Sequence, residues 1–266
     1  MSRFWLAIAA NLLAGGILFA AEVQVQVKPS PTKAPPSSGG KSPSPTATVN
    51  QQLPQYRPAL FGLGPDSVIN RMDTATLIKN GQKDGSLFFC CSVGKGGEIN
   101  NTWTYRVSPG SEPLERELVR CLDRSRFIPA IYNRQPVYAL FFGTVIFKVV
   151  NEKPRLRIFA NQEAEELKKE SDFIGPQPFV GPGSKFEGLH YPADTITSEL
   201  KGVVELALKV DATGAMKELR VVQEDPPLVG FGRAAAEDFR VASFIPAFRD
   251  GKPVECSVTL PIYYEP

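Results

Sequence analysis

Few side chains in this sequence are arranged as reacting groups. Gly230-Phe231-Gly232-Arg233-Ala234-Ala235 fits G-x-G-x-x-A ahead of a helix, where glycines can admit a pyrophosphate to the helix N-terminus. That chemistry needs a parallel βαβ unit, and the surroundings here read as ββαβ. The single histidine, His190, lies in a turn-like stretch and reads as a surface or packing residue. Ser and Asp are plentiful but have no G-x-S-x-G context. Glu165 and Glu166 lie on a polar helix and read as a solvated face. The four cysteines are Cys90, Cys91, Cys121 and Cys256, and neither Cys nor His shows metal-ligand spacing. No catalytic, metal or cofactor-binding residue is expected, and no cofactor.

The elements that would position a site occur twice. Phe127-Ile128-Pro129-Ala130 returns as Phe244-Ile245-Pro246-Ala247, an offset of 117 residues. The same shift, without a gap, places Gly85 on Gly202, Gly97 on Gly214, Pro109 on Pro226 and Pro136 on Pro253. Glycine and proline mark backbone geometry, so their coincidence implies shared turns. The matching segment of the first copy, Pro113 to Leu118, has no glycine, which further weakens the dinucleotide reading.

In the first copy, Leu87, Phe89, Cys91 and Val93 alternate as in a strand buried on one face, and Ile99–Val107 returns as a hairpin. Ser111 is placed to cap a helix with Leu114, Leu118, Cys121 and Leu122 along one stripe. Val137–Val150 is a long apolar strand, followed by an edge strand at Arg155–Phe159. Asp66–Lys79 reads as a short helix, and Asn161–Glu170 as a polar one. The second copy repeats the order: Val204, Leu206, Leu208 and Val210 alternate, Phe231, Ala235, Phe239 and Ala242 point inward, and Val254–Tyr264 closes the sheet. The fold class is α+β, two tandem ββαβ modules, each a small antiparallel sheet with one helix on one face.

Charge is balanced, with 30 basic and 28 acidic residues, and no basic stripe interleaved with aromatics recommends nucleic acid as a partner. Arg3 precedes an apolar run from Phe4 to Ala21, a signal peptide or membrane anchor that exports everything after it. Lys28–Val49 is rich in Pro, Ser and Thr and reads as an extended tether. The expected organisation is 1–21 signal peptide or anchor, 22–59 tether, and 60–160 first module. A helix and Pro/Gly connector at 161–185 then leads to the second module, 186–266. Export makes a Cys91–Cys121 disulfide a candidate, with Cys91 on the inward strand face and Cys121 beside the helix stripe above it.

The second copy resembles the TonB C-terminal domain family. Tyr191-Pro192 stands ahead of Gly202-Val203-Val204, Val210-Asp211 is followed by Gly214, and Gly251-Lys252-Pro253-Val254 leads to Leu260-Pro261-Ile262. The first copy resembles it through the repeat. The resemblance implies a non-enzymatic module that pairs an exposed strand with a peptide of an outer-membrane transporter. The candidate edge is Val254, Glu255, Cys256, Ser257, Val258, Thr259 and Leu260, with Val254, Cys256, Val258 and Leu260 toward the helix. Pro261 lacks an N–H and belongs where the strand has no partner.

The expectation is an exported, periplasmic binder of a peptide or protein partner in the envelope, such as an outer-membrane receptor. The alternatives are a transducer held in the inner membrane by Phe4–Ala21, and a purely structural envelope protein. Two features weigh against the transducer. The resemblance implies a histidine within the anchor of a force-coupled transducer, and Phe4–Ala21 has none; the extended tether also reaches only about 70 Å.

Overall fold

Alternating apolar residues build the first of the two larger sheets, and a third sheet has only two strands. The computed structural model describes residues 53–192 and 199–265, so the expected signal segment, and the tether as far as residue 52, lie outside the described residues. Order begins earlier than residue 60. Strand β1 (Tyr56–Arg57) and the fully buried Ala59 fall within the stretch expected as tether. The helix expected over Asp66–Lys79 is divided into α1 (Val68–Arg71) and α2 (Thr74–Lys79). Asp73 restarts it, its carboxylate accepting from the Thr76 N–H at 2.9 Å.

The next elements are β2 (Gly85–Val93), β3 (Ile99–Tyr105), α3 (Glu112–Leu122), β4 (Ala130–Tyr132), β5 (Gln135–Val150) and β6 (Lys153–Phe159). β2 pairs antiparallel with β3 and with β5, and β6 pairs with the far half of β5. Leu87, Phe89, Cys91 and Val93 meet Leu114, Leu118, Cys121 and Leu122 of α3 in one core, all of them inaccessible to solvent. The Ser111 hydroxyl does not cap α3 but bonds the Ser108 hydroxyl at 2.8 Å. Gln82 takes over the capping role, its Oε1 accepting from the Leu114 N–H at 3.0 Å.

After α4 (Ala164–Lys169) and β7 (Gln177–Val180) come β8 (Gly202–Val210), β9 (Met216–Asp225) and α5 (Phe231–Arg240). β10 (Phe244–Ile245), β11 (Ala247–Arg249), β12 (Lys252–Val254) and β13 (Cys256–Tyr264) complete the chain. The second sheet runs β13-β8-β9. Val204, Leu206, Leu208 and Val210 meet Phe231, Ala235 and Phe239 in a second core. The architecture is α+β and sheet-rich.

Under a shift of 117 residues β2 coincides with β8 and β4 with β11, while β3 and β9 start together, as do β5 and β12. The turns agree bond for bond. Gly94 N–H donates to the Glu98 carbonyl as Asp211 N–H donates to Ala215, and Phe127 N–H reaches the Gly97 carbonyl as Phe244 N–H reaches Gly214.

β7 lies in the Pro/Gly-rich stretch expected as connector. It pairs with β5 through Phe179 and Val180 and with β10 through Gln177 and Pro178. The middle of the first sheet is covered on both faces: Cys90 and Phe142 point away from α3 and enter the second core. Neighbouring Cys90 and Cys91 thus serve different cores.

Candidate functional site

The second sheet has two edge strands, β13 and β9, and their backbones differ. β13 pairs with β8 in unbroken register from Cys256 opposite Val210 to Tyr264 opposite Gly202. β9 slips twice against β8, leaving Lys217 and Val222 without opposite residues. Such bulges twist and blunt an edge against pairing. β13 is the regular edge.

The register fixes the faces of β13. Cys256, Val258 and Leu260 lie opposite Val210, Leu208 and Leu206 on the α5 side, and Ser257 and Thr259 alternate with them. Val254 is different: it ends β12 and pairs with Ala247 in a separate short ladder, with Glu255 between the two strands. The β11–β12 hairpin turns back at Asp250-Gly251, which takes Val254 out of the edge expected from the sequence. Glu255 makes a surface pair with Lys209 at 3.2 Å.

Backbone polarity follows from one bond. The Thr259 N–H donates to Glu163 Oε1 at 2.9 Å, so it points away from β8. In an antiparallel strand every second residue shares that direction, which places the Ser257, Pro261 and Tyr263 backbone groups on the same outer side. Proline at 261 therefore costs the β8 ladder nothing. The edge is not bare. Phe142, Gln162 and Glu163 lie beside Val258 and Leu260, and the Tyr263 ring stands 6.4 Å from that of Trp103 on β3. Burial raises the pKa of the Glu163 carboxyl, and the Thr259 N–H opposes that rise only in part.

The remaining residues singled out from the sequence are explained by packing. The carboxylate of Glu224 on β9 accepts from the N–H groups of Val229, at 3.1 Å, and Gly232, at 2.6 Å. A Cβ at Gly232 would collide with that carboxylate. The G-x-G pattern thus admits the chain's own anion to the α5 N-terminus. His190 pairs through Nδ1 with Asp238 at 2.7 Å, and its backbone N–H donates to the same carboxylate. The hydrogen bond and charge of Asp238 raise the imidazole pKa, and the pair fastens the Tyr191-Pro192 lead to α5.

All four cysteines are free thiols. Cys91 and Cys121 are buried in the same core without a bond between them. The Cys121 thiol instead donates to the Arg71 carbonyl at 3.2 Å, and burial pushes its pKa up to about 11. Burial likewise pushes the Cys256 thiol up to about 12. Among the described residues, no group of three or more His, Cys, Asp and Glu side chains is placed to hold a metal ion.

The polar group that contacts the edge, Glu163, was not singled out from the sequence, where Asn161–Glu170 reads as a polar helix. Its only local signal is its place just before α4, and that does not reveal a strand 96 residues away.

Residues 187–266 match the family described as Gram-negative bacterial TonB protein C-terminal. The match spans β8 to β13, including β10, which joins the first sheet through β7. No curated protein matches the chain.

Proposed function

We propose that this chain is a non-enzymatic, exported protein of the Gram-negative cell envelope that captures an extended segment of an outer-membrane protein on β13. On this reading the elements before residue 160 form a diverged first copy of the same module, a view supported by the turn hydrogen bonds that repeat at 117 residues. The observation that carries the proposal is the unbulged nine-residue edge of β13, in the part of the chain that matches the TonB C-terminal family. Unsatisfied edge groups supply affinity through the backbone, and the outward side chains add selectivity. No helix among the described residues is long and apolar enough to cross a membrane. Attachment to the inner membrane would therefore fall to residues 1–21.

One observation favours a second reading, a purely structural role: Glu163 already occupies the Thr259 donor. In-cell photo-crosslinking separates the two. A photoreactive side chain is placed at Glu255, with position 217 on the bulged β9 as control. Capture at β13 gives an outer-membrane protein adduct from position 255 that is absent from 217. It also makes the adduct sensitive to the backbone at 257. Ser257→Pro removes an outward donor and lowers the yield at least ten-fold, while Ser257→Ala leaves it near the parent value. Equal yields from the two folded variants, or no adduct at all, would leave the structural role as the better account.

A further inference from the structure

We infer that Asn161–Gln162–Glu163 is a clasp on β13, an intramolecular stand-in for the partner strand that must leave the edge before capture. The inference rests on reading β13 as the pairing edge and concerns how that edge is regulated.

The strands β5, β9 and β13 are protected in three different ways. The outer edge of β5 is sealed by backbone, with β6 along Thr144–Val150 and β7 along Tyr138–Ala139. β9 is blunted by its two bulges. β13 has neither device; near its end the Tyr263 ring packs beside Trp103 of β3, a side-chain contact that occupies no backbone donor. Its central outward donor, the Thr259 N–H, is met by a single carboxylate from a loop.

That loop grips both sheets. Gln162 Nε2 donates to the Phe89 carbonyl at 3.1 Å and to the Gly143 carbonyl at 3.2 Å, and Gln162 Oε1 accepts from the Tyr105 hydroxyl. Glu163, the next residue, holds Thr259. Downstream, Arg249 makes a two-pronged pair with Glu166, at 2.7 and 2.8 Å, and the Asp250 N–H donates to Asp172 at 2.7 Å. These bonds tie α4 and the residues just after it to the β11–β12 hairpin and keep the clasp seated.

The exchange is chemically balanced at the edge. A peptide carbonyl entering beside Thr259 accepts the same N–H that Glu163 accepts now, so no donor is stranded. The released carboxylate returns from a half-buried position to water, which favours its charged form. Glu166 and Cys256 are the titratable groups whose charge reaches Glu163, and neither offers it a compensating positive charge.

The test uses the full chain and two separate readouts. Amide hydrogen exchange at Thr259 reports the clasp, and the adduct from the photoreactive residue at 255 reports capture. Glu163→Ala should raise Thr259 exchange at least ten-fold and increase adduct yield. Glu163→Gln keeps an acceptor oxygen and should leave exchange near the parent rate. Arg249→Ala frees α4 without touching the Thr259 contact and should move both readouts in the direction of Glu163→Ala, which keeps the test valid if that variant folds poorly. Thr259 exchange that is unchanged in Glu163→Ala and Arg249→Ala overturns the clasp, whatever the adduct does. Faster exchange with an unchanged adduct overturns its gating role. Faster exchange with no adduct in any protein overturns the pairing function and the gate together.

Discussion

Gly97 and Gly214 occupy the same corner of equivalent hairpins, with φ of +83° and +85°. In each, a Cβ would run into the carbonyl oxygen of the phenylalanine that opens the Phe-Ile-Pro-Ala segment, Phe127 or Phe244. Strain and collision coincide, so Gly97→Ala and Gly214→Ala should each destabilise by more than about 1 kcal/mol, read from urea unfolding. The phenylalanines show why the corner is kept. Phe127 packs edge-on against Phe141 at 4.9 Å in the first core, and Phe244 is fully buried beside Phe239 in the second. Phe127→Ala and Phe244→Ala should each cost about 3–5 kcal/mol, a large share of the stability of a domain this size. A parent-like melt for either would show that its ring is not part of the core.

At the scale of elements, α5 carries its own anion. Glu224 bonds two N–H groups at the helix N-terminus, where an acidic group also meets the positive end of the helix dipole. Glu224→Ala should cost about 1 kcal/mol and Glu224→Gln less, because an acceptor remains. Thermal unfolding of the two variants measures the difference, and a larger loss from the Gln variant would contradict the capping role. The same arrangement accounts for the glycine at 232, which a dinucleotide site would have explained differently. β13 and β9 show the other element-scale lesson. Both are edges, but only the unbulged one keeps its outward backbone groups in line.

Across the whole molecule, the short stretch that joins the two sheets carries carboxylates that titrate in opposite senses. Arg249 holds the Glu166 pKa down to about 2, with help from the Ser171 hydroxyl. Its contribution is complete above the ordinary value of 4.5 and is lost as pH falls from there toward 2. Glu163 is raised by burial, so its charge opposes folding above its shifted pKa, and that cost disappears as pH falls through it. Two outcomes follow for urea unfolding between pH 7 and pH 2.5. The deficit of Glu166→Gln relative to the parent should be greatest at pH 7 and shrink below pH 4.5. Glu163→Gln should compare more favourably with the parent at pH 7 than at pH 4. The same slope for both variants would mean that the two carboxylates do not occupy the opposed environments described.

The sequence by itself determined the long strands and the two long helices, the two core stripes and the parity of β13. Apolar alternation, helical spacing and the placement of glycine and proline are local signals, and Leu87 to Val93, Leu114 to Leu122 and Val204 to Val210 are buried as that spacing requires. Pro261 was legible for the same reason, since a residue without an N–H belongs on the side of a strand that makes no ladder bonds. Only the tertiary structure decided what covers the edge. Alternation shows that Cys90 and Phe142 point away from α3, but not that a second core receives them. β7 is hidden by its Pro/Gly-rich setting and exists because β5 and β10 both lend it partners. Glu163 reads as one more surface carboxylate until folding brings it to the Thr259 N–H. Periodicity reports how an element is buried, whereas the meeting of a donor and an acceptor far apart in the chain is set by how the elements pack.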